Sequence, residues 1–260
     1  MYKGVVFAAI YYTLAILVTY PYFFVLFYIS DSAIAGLAVS LLTVMVFTLT
    51  SFLMTRRISG KGWYLKSIGF RKKGLIESLL LASALSIFGP VAQLYTISTS
   101  GLNSLIQGLL GYPGSLYLIL HSLPDSLLFF SMVGVLAFGF FQAFPYSLLN
   151  SVEDHLIIPL LVILWAVLYG AANIVMGTPL SLGDIGLFGV IFLLIYRHTG
   201  NSLGPILAYV LLAEEPAWVA LAIMSPATYI ISLYFKIMWS LVAAVAAIWW
   251  ELRLRKVNRS

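Results

Sequence analysis

Residues 33–54 read AIAGLAVSLLTVMVFTLTSFLM, and the segment that follows carries Arg56, Arg57, Lys61, Lys66, Arg71, Lys72 and Lys73 with no acid among them. The apolar stretch holds no charge over 22 residues. A helix rises about 1.5 Å per residue, so this length covers about 33 Å, close to the hydrocarbon thickness of a bilayer. A run of cations directly after such a stretch is the mark of a cytoplasmic flank. One span and its inner boundary are therefore written in residues 33–73.

The rest of the chain agrees with that reading. Of 260 residues, 62% are hydrophobic and 9% are charged. Soluble domains run at about 45–50% and about 25%. The mean hydropathy is +1.04. These values exclude a soluble enzyme, a disordered chain and a nucleic-acid-binding domain. No nucleic-acid partner is expected despite the net charge of +5. The chain has no cysteine, so disulfides, thiolate chemistry and Cys-ligated metals are excluded.

Apolar segments at 5–29, 33–54, 75–97, 125–149, 156–176, 185–196, 202–213 and 228–250 predict an all-α polytopic membrane bundle of about eight transmembrane helices. The whole of 1–260 reads as one transmembrane domain. The first segment is too long for a signal-peptide core, so it is expected to remain as a span. Pro90 predicts a kink in the third span. Residues 98–123 predict a loop with a short interfacial helix. Eight spans put both ends of the chain on one side. They also put 13 of the 14 Lys and Arg residues there, all but Lys236. The expected location is the cell membrane, multi-pass, with both termini cytoplasmic. The bilayer is the first partner.

Ionisable groups at membrane depth are costly and usually functional. Few are present. Glu77 and Lys236 fall inside spans, and Asp125, Asp184 and Glu214 fall at span ends. Lys236 is expected to form a structural ion pair with Glu214 or Glu215. His121, His155 and His198 fall in loops or at interfaces. Glu153, Asp154, His155 and His198 share the cytoplasmic face and read as exposed turn residues rather than metal ligands. No metal and no cofactor are expected.

Residues 187–213 read LFGVIFLLIYRHTGNSLGPILAYVLLA. With its neighbours over 125–215, this stretch resembles the CAAX-type intramembrane endopeptidase family, also called the CAAX protease and bacteriocin-processing (Abi) family. The Tyr-Arg-His-Thr-Gly-Asn-Ser-Leu-Gly-Pro run at 196–205 carries the resemblance most specifically. The family has Glu-Glu-x-x-x-Arg, then Phe-x-x-x-His, then His-x-x-x-Asn after the turn. Here Phe141-Gln142-Ala143-Phe144-Pro145-Tyr146, Tyr169-Gly170-Ala171-Ala172-Asn173 and Tyr209-Val210-Leu211-Leu212-Ala213 stand at those places. The resemblance implies a site built from Gln142, Asn173, Tyr209 and Ala213. The family's glutamate and histidine activate water, and its second histidine and asparagine stabilise the oxyanion. Gln142 and Asn173 can form hydrogen bonds but cannot act as general bases. Tyr209 can donate to an oxyanion, and Ala213 supplies no polar group.

The resemblance therefore implies a protease fold without its base. Such a bundle is expected to hold a membrane-protein partner or a lipidated or transmembrane segment, as a binding or scaffold subunit. A divergent active endopeptidase using Glu214 or Tyr209 is the alternative within the family. A small transporter or channel, with Lys236 as its charge, is the alternative outside it.

Overall fold

The computed structural model describes residues 2–25, 33–59, 65–104, 128, 131–149, 153–176, 185–213 and 225–257. Among them the chain is helical and forms no strand. Helix α1 is Tyr2–Phe24 and α2 is Ala33–Ser59. The third predicted span is two helices, α3 (Leu75–Leu85) and α4 (Phe88–Ser100). Helix α5 covers Ser131–Leu148, and α6 is Asp154–Met176. Helix α7 covers Ile185–Thr199, and α8 begins at Leu203 and runs through Leu212. Helix α9 is Pro226–Val257.

Among the described residues, five helical runs are apolar enough and long enough to cross a membrane: Gly4–Tyr22, Leu37–Arg57, Leu75–Ser100, Ser131–Leu148 and Ala227–Arg253. The other three predicted spans are helical with shorter apolar stretches, His155–Gly170, Ile185–Thr199 and Leu203–Leu212.

The side-chain distribution supports a membrane environment more strongly than length does. In α9, Lys236, Ser240 and Ala243 are buried while Phe235, Met238, Trp239 and Val242 are exposed. In α2, Ser40, Thr43 and Ser51 are buried while Leu41, Leu42, Met45 and Leu49 are exposed. Polar groups inside and large apolar groups outside invert the order found in water. That order is stable where the surroundings are hydrocarbon and polar groups must find partners within the protein. Several hydroxyls comply locally: Thr43 Oγ1 donates to the Val39 carbonyl at 2.9 Å and Thr50 Oγ1 to Val46 at 2.8 Å, whereas the buried Tyr11, Thr19 and Ser240 hydroxyls find no partner among the described residues. Tyr22 and Ser40 join α1 to α2 through their hydroxyls at 2.9 Å.

The break between α3 and α4 falls at Ser86–Ile87, just before Pro90. Pro90 has no N–H to give to the carbonyl four residues back, which is that of Ser86. The Gly89 amide takes that carbonyl instead, at 3.2 Å, in a tighter turn. The kink expected at Pro90 thus lies at the carbonyl the proline cannot serve. The last helix also differs from expectation. It runs to Val257, beyond the predicted end at 250, so Arg253, Arg255 and Lys256 sit on helix. Arg253 lies over the Trp249 ring at 5.5 Å, one helical turn away.

Helix α5 is the centre of the bundle. Of its apolar run 61% is buried, against 22–28% for the other four. Its inward residues Phe138, Phe140, Phe141 and Phe144 pack with Tyr11, Phe47 and Phe192 in one aromatic core. Large rings fill such a core with few rotamers to lose.

Candidate functional site

Among the described residues, Val135–Ala143 in α5, Ile185–Ile191 in α7 and Tyr209–Ala213 following the α-helical part of α8 are wound as π-helix. π-Helical turns are rare, and they occur most often at functional sites. Here all three meet. Phe138 of the first lies 6.1 Å from Phe188 of the second and 5.4 Å from Tyr209 of the third, centroid to centroid. Phe188 and Tyr209 close the triangle at 5.3 Å, edge to face. Gly134 lets α8 come close, since a Cβ there would stand 3.2 Å from Ile206 Cγ2 and 3.4 Å from Tyr209 Cδ1.

Gln142 sits one turn beyond Phe138, 1% exposed. Its Nε2 donates to the Phe188 carbonyl at 2.6 Å. Only the amide nitrogen can face a carbonyl oxygen, so the orientation of the side chain is fixed by chemistry. The neighbouring Phe141 carbonyl accepts from Tyr12 Oη at 2.8 Å, which ties α1 to the same π segment. Buried side-chain hydrogen bonds to backbone carbonyls thus hold α1, α5 and α7 together at this level.

The structure therefore brings Gln142 and Tyr209 to one locality, linked through Phe188. Asn173 is helical within α6, and its side chain lies outside the described residues. Ala213 ends the third π segment, and its side chain is likewise outside. The expected pairing of Lys236 with Glu214 or Glu215 also falls outside, because residues 214–224 are not described. Lys236 itself is buried, 3% exposed, on the inward face of α9 with Leu233 and Ser240.

The Thr199-Gly200-Asn201-Ser202 turn does something the sequence did not announce. It clamps the basic segment that follows α2. Asn201 Nδ2 donates to the Arg71 carbonyl, and more weakly to that of Lys73 at 3.4 Å. Asn201 Oδ1 accepts from the Leu203 amide at 2.9 Å, which caps the start of α8. Ser202 Oγ donates to the Ile68 carbonyl at 2.5 Å and its amide to the Gly69 carbonyl at 3.0 Å. Ser78 Oγ on α3 donates back to the Asn201 carbonyl at 2.8 Å. Gly69 and Gly200, at φ 82° and 68°, supply left-handed turns that other residues adopt at a cost. Gly204 lets α8 rest on the backbone of Ser78.

His198, the last-turn residue of α7, points to the same face. Its Nε2 is 2.8 Å from Glu77 Oε1 in the first turn of α3. Glu153 and His155, expected on that face as well, pair with each other at 3.3 Å across exposed side chains. Among the described residues, one group of carboxylates and imidazoles has metal-binding proportions: Glu77, His198 and Glu251. Neither Glu153 nor His155 enters it.

No family model, curated protein or solved structure matches the chain.

Proposed function

We propose that the chain is an eight-span membrane bundle of CAAX-protease-like type that serves as a binding or scaffold subunit and no longer hydrolyses peptide bonds. The observation that supports this is the meeting of three π-helical stretches around Gln142, Phe188 and Tyr209. The family resemblance puts its glutamate and its second histidine at the positions of Gln142 and Tyr209. The rare backbone form marks a specialised place in the bundle, while the side chains there are neutral. The Gln142 amide is engaged by the Phe188 backbone carbonyl, and the Phe188 ring packs with those of Phe138 and Tyr209. A water held there would find no group in the described set to take its proton near neutral pH. Replacing a buried charge by neutral, hydrogen-bonded groups also removes a desolvation cost.

In this reading the aromatic triangle accepts an apolar guest: an isoprenoid chain or an unwound stretch of a partner's transmembrane helix. Neither needs a charged site. The test uses the purified protein in lipid nanodiscs and a farnesylated peptide with a diazirine on the isoprenoid. The expected result is photo-labelling of peptides that contain Phe138 or Phe188, competed by unlabelled farnesylated peptide, with the probe recovered intact. Probe recovered as cleaved peptide would instead favour an active endopeptidase. Labelling confined to the outer faces of α2 and α9 would remove the site from the account.

Lys236 and Ser240 favour a second reading. Both are buried on α9 at the same inward face, four residues apart, and a buried cation in a span is a common mark of an ion pathway. Flux of a small anion into proteoliposomes, lost in Lys236→Met, would support transport over scaffolding.

A further inference from the structure

Glu77, His198 and Glu251 lie on three different helices, α3, α7 and α9. Their candidate ligand atoms all fall within 4.8 Å of one another. Two carboxylates and an imidazole drawn to one point from positions 121 and 53 residues apart in the chain do not arise from neighbours in a turn. The side chain of Glu77 is 21% exposed and that of His198 is 60% exposed, so the point opens to solvent on one side.

We propose that these three side chains form a site for a divalent transition-metal cation of the zinc class at the end of the bundle. The proportions fit. Bonds of about 2.0–2.2 Å from zinc to nitrogen and oxygen place neighbouring ligand atoms about 3–4 Å apart. The His198–Glu77 separation of 2.8 Å and the 4.8 Å limit for the set bracket that range. The donor set fits too. Imidazole with carboxylates suits zinc and its neighbours, whereas an oxygen-only set would suit magnesium or calcium. Three protein ligands leave at least one coordination position for water or another oxygen donor.

The supporting structure is rigid where it needs to be. Ser78, next to Glu77, is hydrogen-bonded to the Asn201 carbonyl, and Thr199, next to His198, donates to the Ile195 carbonyl at 2.8 Å. Gly74, three residues before Glu77, packs against the Thr199 backbone. Two ligands are thus held in place by backbone contacts within three residues of each, the kind of support a metal site requires. The third, Glu251, belongs to the long helix α9. A bound cation would fasten the end of α9 to α3 and α7 on the face that carries the basic segment. This site is independent of the chemistry at Gln142 and stands or falls separately from it.

The test is titration of the full chain, purified in detergent and stripped with EDTA, with Zn2+ alone at pH 7.5. Isothermal titration and thermal unfolding are the readouts. The expected result is saturable binding of one ion per chain, micromolar or tighter, with a rise in Tm. Glu251→Gln and Glu77→Gln should each weaken binding by at least about tenfold, since loss of even an outer-shell partner typically costs 10–100-fold. Glu153→Gln should leave it unchanged. X-ray absorption of the loaded protein should show a shell of one imidazole nitrogen with oxygens. Absent binding, equal binding by Glu251→Gln, or equal loss in Glu153→Gln would each overturn the proposal. A stability loss in Glu251→Gln with no Zn2+ response in the parent would identify an ion-paired staple instead.

Discussion

Replacing Asn201 by alanine should release the basic segment that follows α2. The side chain gives its amide to the carbonyls of Arg71 and Lys73 and accepts from the Leu203 amide, and the residue is fully buried. A typical net hydrogen bond contributes about 1 kcal/mol, and a buried group left without its partner costs about 1–3 kcal/mol. Two good bonds and one long one, with the Arg71 carbonyl and the Leu203 amide losing their partner, give about 2–4 kcal/mol. Since about 1.4 kcal/mol is a factor of ten, local opening of the segment should become about 30- to 700-fold more frequent. Arg71, Lys72 and Lys73 are exposed and cleavable by trypsin only when the backbone leaves its seat. The assay is limited trypsinolysis of the protein in nanodiscs, with cuts after 71, 72 and 73 followed by mass spectrometry. Protease is kept low so that cleavage reports the opening equilibrium. Ser202→Ala, which loses one bond to the Ile68 carbonyl, should give a smaller acceleration, by about tenfold. Equal cleavage rates in the parent and Asn201→Ala would refute the clamp.

Three further perturbations test other parts of the account. Gly204→Ala places a methyl group on the Ser78 backbone, so α8 must move off α3. The expected penalty is about 1–3 kcal/mol, read as a lower Tm in detergent, and an unchanged Tm would contradict the close approach. Gln142→Met keeps the length but loses the bond to the Phe188 carbonyl. It should destabilise by about 1 kcal/mol, near the upper part of the range for membrane-buried hydrogen bonds, with no change expected if the amide were idle. The chain has no native cysteine, so single cysteines at 72, 153 and 198 can be labelled in sealed vesicles without background. Eight spans require 72 and 198 to react from the cytoplasmic side, and 153 as well. Labelling of 198 from the opposite side to 72 would break the topology, and it would also contradict the hydrogen bonds that join Asn201 to Arg71.

Much of this fold is legible in the chain because lipid imposes simple rules. Apolar runs of span length and a block of cations are properties of local sequence, and each predicted span is helical where it is described apart from Ser86–Ile87, Leu149 and Ser202, with five of the eight reaching span length among the described residues. Pro90 announced its kink through a missing donor. The site was less legible. Gln142 and Tyr209 were singled out by resemblance, and they do share a locality. The π-helical winding that shapes it left no trace, since that winding depends on what packs against α5, α7 and α8. The Thr199–Ser202 turn stood out as a motif, but its work is done on carbonyls about 130 residues away. A sequence shows side chains that give hydrogen bonds and conceals which backbone receives them. Glu77 and His198 were both noted, one as a membrane-depth acid and the other as a turn residue. Nothing short of tertiary structure could pair them.

The central claim is that the place at Gln142, Phe188 and Tyr209 binds without cutting, and turnover tests it most directly. The protein in nanodiscs is incubated with a quenched fluorescent, farnesylated peptide ending in a CAAX sequence, alongside Gln142→Ala and Tyr209→Phe. The account predicts no cleavage above that of empty nanodiscs for the parent and both variants. Cleavage by the parent that disappears in Gln142→Ala would contradict it and make the centre an active site.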